Sequence, residues 1–144
     1  MRLLYVETTA FVKLYFDEAG SERMLALLRG ADEVASSVLV WPETLATFAR
    51  RRREGLLDRD EHTTLRDRFL RDHAALVTVA LDGRVLEEVQ RLVEAHPLRS
   101  ADAVHLASAR VLAEEGLDVQ FVCSDRGLLG AARGERLRAV DPAG

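Results

Sequence analysis

Leu3-Leu4-Tyr5-Val6-Glu7-Thr8-Thr9 is the stretch on which the reading of this chain turns. Four apolar, strand-favouring residues run into an acid. Directly after it comes a helical pattern with Phe11, Leu14 and Tyr15 on one face and Thr8 or Thr9 as its cap. In an α/β fold such a junction is the carboxyl end of a strand, the edge where open parallel sheets place their ligands. Three further acids, Glu43, Asp102 and Asp125, stand at comparable junctions far apart in the chain.

Working outward, strands are expected at Glu33–Ser36, Leu76–Leu81, Val119–Cys123 and Arg138–Val140. Helices are expected from Ser21, from about Val38 to Glu54, from Asp58 to about Ala75, after Asp82 as far as His96-Pro97, from Ser100 to Gly116, and after Asp125. Strand and helix alternate throughout. The pattern predicts one three-layer α/β/α domain over residues 1–144, Rossmann-like, with a central, mostly parallel sheet of four to five strands.

The 144 residues suffice for one core, and 48% apolar with 31% charged residues is ordinary globular composition. No apolar run reaches the ~20 residues of a membrane span, so no membrane role is expected. One cysteine, Cys123, cannot pair internally; with no signal-peptide pattern at the start, a cytoplasmic protein is expected. A net charge of −4 means that any nucleic-acid contact has to use a local basic patch.

Each acid has a plainer explanation when taken alone. Asp125 precedes a helix, where an aspartate N-cap contributes about 1 kcal/mol. Asp102 and Glu43 lie in first helical turns, where the dipole favours a carboxylate. For Glu7 a metal partner and simple exposure to water weigh equally. The joint pattern favours a cation, because several carboxylates share a small volume only when a cation or protons offset their repulsion. Oxygen donors alone suit Mg²⁺ or Mn²⁺, and no zinc spacing is present.

The residues also resemble a known family. Tyr5 to Tyr15, Val34 to Arg50 with Pro42-Glu43, Leu98-Arg99-Ser100-Ala101-Asp102-Ala103-Val104-His105-Leu106-Ala107, and Phe121 to Asp125 are similar, in order, to the four motifs of PIN-domain ribonucleases of the VapC type. These are the toxins of bacterial toxin–antitoxin pairs. The resemblance implies a PIN-like fold and an Mg²⁺- (or Mn²⁺-) dependent endoribonuclease. In it, water activated by the metal attacks RNA in line and leaves 5′-phosphate and 3′-hydroxyl ends. It also implies a homodimer, a cognate VapB-type antitoxin whose arm crosses the acidic crevice, and Glu7, Glu43, Asp102 and Asp125 as catalytic, metal-binding acids. Thr9 and Ser124 would support them. The first acid is usually aspartate, so Glu7 is one methylene longer, and Cys123 stands where threonine is common. The alternative is therefore a catalytically weakened PIN module that binds antitoxin or RNA.

Arg50 falls two helical turns past Glu43 in the basic run Arg50 to Arg53 and is the first candidate for RNA phosphate, with Lys13 and Arg99 beside it. The other arginines of the run read as a solvated surface. His105, three residues after Asp102 on the same face, reads as a helix-packing histidine, with a catalytic one the less favoured alternative. Trp41 and Phe48 read as core or dimer contacts. A phosphoryl-transfer domain of receiver type is disfavoured, because no lysine follows Lys13.

Overall fold

In the first strand, β1 (Arg2–Val6), side chains alternate across the sheet, and each face has its own core. Leu3 and Tyr5 pack into one buried cluster, with Leu106, Val119, Phe121 and Leu128. Leu4 and Val6 pack into the other, with Phe11, Met24, Phe48 and Phe69. β1 is therefore buried on both sides, as the central strand of a parallel sheet has to be.

The computed structural model describes all 144 residues. After β1 come α1 (Thr8–Phe11), a 3₁₀ turn at Val12–Leu14, α2 (Ser21–Arg29), β2 (Glu33–Ser37), α3 (Val40–Arg53) and α4 (Arg59–Ala74). β3 (Val77–Val79), α5 (Gly83–Ala95), α6 (Ser100–Glu114), β4 (Asp118–Val122), α7 (Arg126–Gly134) and β5 (Arg138–Val140) complete the chain. The strands form one sheet in the order β3-β2-β1-β4-β5, all parallel. The three-layer expectation is met.

The chain grows from β1 toward β3 in one direction and then returns to place β4 on β1's other side. The order reverses between β1 and β4, and such switch points open a crevice at the strands' carboxyl ends. Val6 is in register with Val122, and the Glu7 N–H donates to the Val122 carbonyl at 2.9 Å. The residues following the two strands thus leave the sheet side by side.

Boundaries differ from expectation where a side chain takes over a cap. The helix after β1 is a single turn that tightens to 3₁₀. Ser36 and Ser37 remain in β2, and the Ser37 hydroxyl accepts from the Leu39 N–H at 3.1 Å, delaying α3 to Val40. β3 keeps only three residues, because it is an edge strand paired on one side alone. The helix expected from Asp58 starts there, with Asp58 and Glu61 in a reciprocal capping box. Phe48 is core, in edge-to-face contact with Tyr15 and Phe69, whereas Trp41 stays at the surface against His73. Arg51 is not merely solvated: it lies over the Phe16 ring at 3.7 Å and pairs with Glu18.

On the far face, Glu135 at the end of α7 is clasped by Arg91 and His96 of the α5 region and by Arg110 of α6. The Arg91 hydrogen bond leads in holding its carboxyl down to about 2, with His96 and Arg110 adding to it against the opposing effect of burial. A carboxyl lowered from 4.5 stabilises the fold above that pH, and the contribution is lost as pH falls toward 2. Glu135→Gln should therefore lower the urea midpoint at pH 7. The gap to the parent should close as pH drops from about 4.5 toward about 2, read by urea titrations across that range.

Candidate active site

All four acids of interest line one open cleft of about 490 Å³ at the sheet's carboxyl edge, with Thr8, Thr9, Thr47, Arg50 and Arg99 among its other walls. Each is delivered by a helix start. Glu7 is the N-cap of α1, Glu43 sits in the first turn of α3, Asp102 in the first turn of α6, and Asp125 is the N-cap of α7.

Glu7 corrects the expected cap. With φ −79° and ψ 157° its backbone is extended, and its two methylenes let the carboxylate fold back onto α1. There Oε1 accepts from the Thr9 N–H at 2.7 Å and from the Thr9 hydroxyl. Thr9 Oγ1 in turn accepts from the Ser124 N–H at 2.9 Å, tying β1's end to β4's. Thr9 is thus engaged with the first acid's carboxylate. The Ser124 hydroxyl points elsewhere, donating to Asp141 at 2.8 Å in the C-terminal tail. That tail lies so close over Gly20 (φ 94°) that a Cβ there would stand 2.7 Å from the Ala143 nitrogen.

Glu7 is only 4% exposed, and burial pushes its carboxyl above the ordinary range against the opposing pull of His105 and Thr9. The sequence placed no histidine beside it; the fold supplies one. His105 is 1% exposed, and its Nε2 lies 2.6 Å from Glu43 Oε1 while its Nδ1 lies 2.9 Å from the Tyr5 hydroxyl. Thr8, which caps nothing, donates its hydroxyl to the same Glu43 oxygen at 2.8 Å. Burial works to raise Glu43, but the His105 and Thr8 hydrogen bonds prevail and hold it below the usual range. Packing was the plain expectation for His105; reaching Glu43 from the core is what that expectation missed. Its one signal in the sequence is its place three residues after Asp102 on α6.

Asp102 and Asp125 form the other half of the cleft. Burial raises Asp102, and the charge of Asp125 raises it further. Asp125 also keeps its capping bond from the Leu128 N–H at 2.9 Å. Cys123 beside them is buried, and its thiol is pushed up to about 12 by burial and by Glu7. It is a proton-bearing packing group at neutral pH.

The cations sit differently from one another. Arg99 is 88% exposed at the rim, its Nε 4.0 Å from Asp102. Arg50 is also exposed and holds Glu54 only loosely, at 3.9 Å. Lys13 is buried and paired with Glu18 at 3.1 Å, in a depression that shares Thr8, Thr9, Thr47 and Arg50 with the cleft.

No three acidic, histidine or cysteine groups draw together tightly enough to cage an ion. The donor set therefore does not fit zinc or a dehydrated calcium. It does fit a hard cation that keeps several waters and takes one or two carboxylates directly, the habit of Mg²⁺. Two carboxylates here stand close enough to repel, and Glu43 Oε2 takes no protein hydrogen bond.

Asp125→Asn keeps a capping side chain of equal quality and deletes the neighbouring charge. The Asp102 carboxyl should then titrate at lower pH than in the parent, toward the ordinary aspartate range, in a carbon-detected NMR titration of the metal-free protein. An unmoved Asp102 would separate the two acids.

Residues 4–129 match the family model described as PIN domain. Ribonuclease VapC49 of Mycobacterium tuberculosis is 40% identical over 119 residues, 83% of this chain and 83% of that protein. Ribonuclease VapC46 of the same organism is 32% identical over 124 residues, 86% and 85% of the two. Among solved structures, FitAcB from Neisseria gonorrhoeae superposes with a TM-score of 0.69 at 16% identity, over 96% of this chain and 97% of that one. The last likeness speaks for the fold alone; the family match and the mycobacterial identities go further. With its five-stranded parallel sheet and its acidic cleft at the switch point, this chain belongs to the PIN-domain family, among its VapC-type ribonucleases.

Proposed function

We propose that the protein is the toxin of a toxin–antitoxin pair, an endoribonuclease that uses Mg²⁺ or Mn²⁺ in the cleft between β1 and β4. The single observation that carries this is the placement of Glu7, Glu43, Asp102 and Asp125 on one cleft that is lined by no lysine and by two exposed rim arginines. Four carboxylates facing a polyanion would repel it, so RNA binding there needs a cation between them.

Of Glu7, Glu43, Asp102 and Asp125, one or two would take the cation directly and the others would hold it through its waters. When bound, it supplies a counter-charge for the scissile phosphate and acidifies the water that attacks it. The chain's own residues do the rest. Thr9 orients Glu7, and Ser124 orients Thr9 through its N–H. Arg50 and Arg99, free to swing at the rim, take the flanking phosphates.

The same electrostatics favour an antitoxin partner that inserts a basic side chain among the carboxylates, replacing the cation's charge. Apolar side chains left exposed on the helices are compatible with the homodimer that the family likeness implies. No helix is long and apolar enough to cross a membrane, and the buried, unpaired Cys123 suits a cytoplasmic enzyme.

A second reading is favoured by one observation: Glu7 spends its carboxylate on Thr9. If that removes it from the cation, the protein is a PIN-fold binding module with little cleavage of its own. Purified protein and structured RNA in Mn²⁺ distinguish the two. The nuclease reading expects cleavage that EDTA abolishes and that Asp102→Asn lowers by about 100-fold or more, with Glu7→Asp within about tenfold of the parent. A far larger gain from Glu7→Asp would establish the binding module instead.

A further inference from the structure

His105 lies on the core side of α6, yet its ring touches both the core and the cleft. Its ring meets Tyr5 edge-on with centroids 6.0 Å apart, while Nε2 reaches Glu43. Both ring nitrogens of this buried histidine have a partner, and the partner of Nε2 is an acid of the cleft.

The hydrogen positions follow from the partners. Glu43 Oε1 lies 2.6 Å from His105 Nε2 and 2.8 Å from the Thr8 hydroxyl, so the carboxylate oxygen accepts from both, Nε2–H being the ring's donor. Nδ1 lies 2.9 Å from the Tyr5 hydroxyl, its partner in the core. Burial pushes the Tyr5 phenol far up, so it keeps its proton. At the other end, Glu43 Oε1 receives both His105 Nε2–H and the Thr8 hydroxyl, which fills its two lone pairs. Oε2 takes neither.

We propose that His105, braced by Tyr5, is a positioning residue that fixes the Glu43 carboxylate so that one oxygen, Oε2, is presented to the cleft. The inference rests on reading that cleft as a divalent-cation site. Buried partners that orient an acidic ligand typically alter metal affinity ten- to a hundredfold when removed. Tyr5 comes from β1 and His105 from α6, so the frame transmits the sheet's rigidity to an acid carried by α3.

The test compares His105→Leu, His105→Gln and Tyr5→Phe with the parent, after melting curves establish which variants fold. Gln keeps an N–H near the position of Nε2; Leu keeps bulk without a donor; Tyr5→Phe removes a single hydroxyl and is the variant least able to unfold the protein. Mn²⁺ affinity is measured by calorimetry without RNA, and the Glu43 rotamer is read from crystals of the metal-free variants. Expected are an affinity about tenfold weaker for His105→Leu, within about threefold of the parent for His105→Gln, and between the two for Tyr5→Phe. Glu43 should spread over several rotamers in His105→Leu and keep one in His105→Gln. Parent-like affinity together with an unmoved Glu43 in His105→Leu, or in Tyr5→Phe should the former not fold, overturns the proposal. A parent protein that binds no Mn²⁺ overturns the cation reading instead, and the rotamers still decide the role of His105.

Discussion

Like charges crowded at one edge of a sheet are the constraint from which the rest of this structure follows. The reversal of strand order between β1 and β4 makes the crevice, and four helix starts each deliver a carboxylate into it. Left in water these acids would cost little. Here Glu7 is buried, Asp102 is raised by burial and by Asp125, and Glu43 is held below the usual range by His105 and Thr8 against the effect of burial. The helix geometry already supplies part of the compensation. α3, α6 and α7 point their N-termini at the cleft, and each presents unsatisfied N–H groups and a partial positive charge. Capping and ligation are therefore not rival explanations of these acids, since the dipoles that make a carboxylate welcome at a helix start also lower the cost of holding several together.

Much of this was legible in the sequence because it is written in local chemistry. The period-two run of β1, the Asp58 and Asp82 caps, the His96-Pro97 stop and the alternation of strand and helix are signals that short-range physics honours. So is the candidate acid set, since acids at strand ends and helix starts of a parallel sheet converge by topology alone. What stayed illegible was side-chain reach. That Glu7 folds back to cap α1, that Thr8 then turns to Glu43, and that Lys13 is taken by Glu18 depend on sub-ångström placement that no spacing rule encodes. His105 is the clearest instance. Its neighbour in space, Tyr5, is near the far end of the chain, and a histidine on an apolar helix face carries no mark of which polar partner waits across the core.

The extra methylene of Glu7 shows how one such detail propagates. An aspartate at this position would cap α1 from a shorter arm and leave less side chain to bend toward Thr9. The glutamate bends, and in doing so it draws Thr9 and, through Thr9, the Ser124 N–H into one chain of hydrogen bonds. That chain crosses from the end of β1 to the end of β4, the two strands that flank the switch point. The longer acid thus stiffens the floor of the cleft while giving up part of its own freedom to turn toward a ligand.

The distribution of cations completes the logic. Of the lysine and arginine side chains near the cleft, Lys13 is buried and paired with Glu18, and the two that line it are long, exposed arginines on its rim. A cation built into the centre would neutralise the acids permanently and leave no call for a metal ion. Exposed arginines at the rim instead leave the centre open and would meet the phosphates of the RNA proposed as substrate. A net charge of −4 is then no obstacle to handling RNA, because the attraction that matters is local: carboxylates inside, guanidinium groups around them, and space between for a cation that arrives from solution.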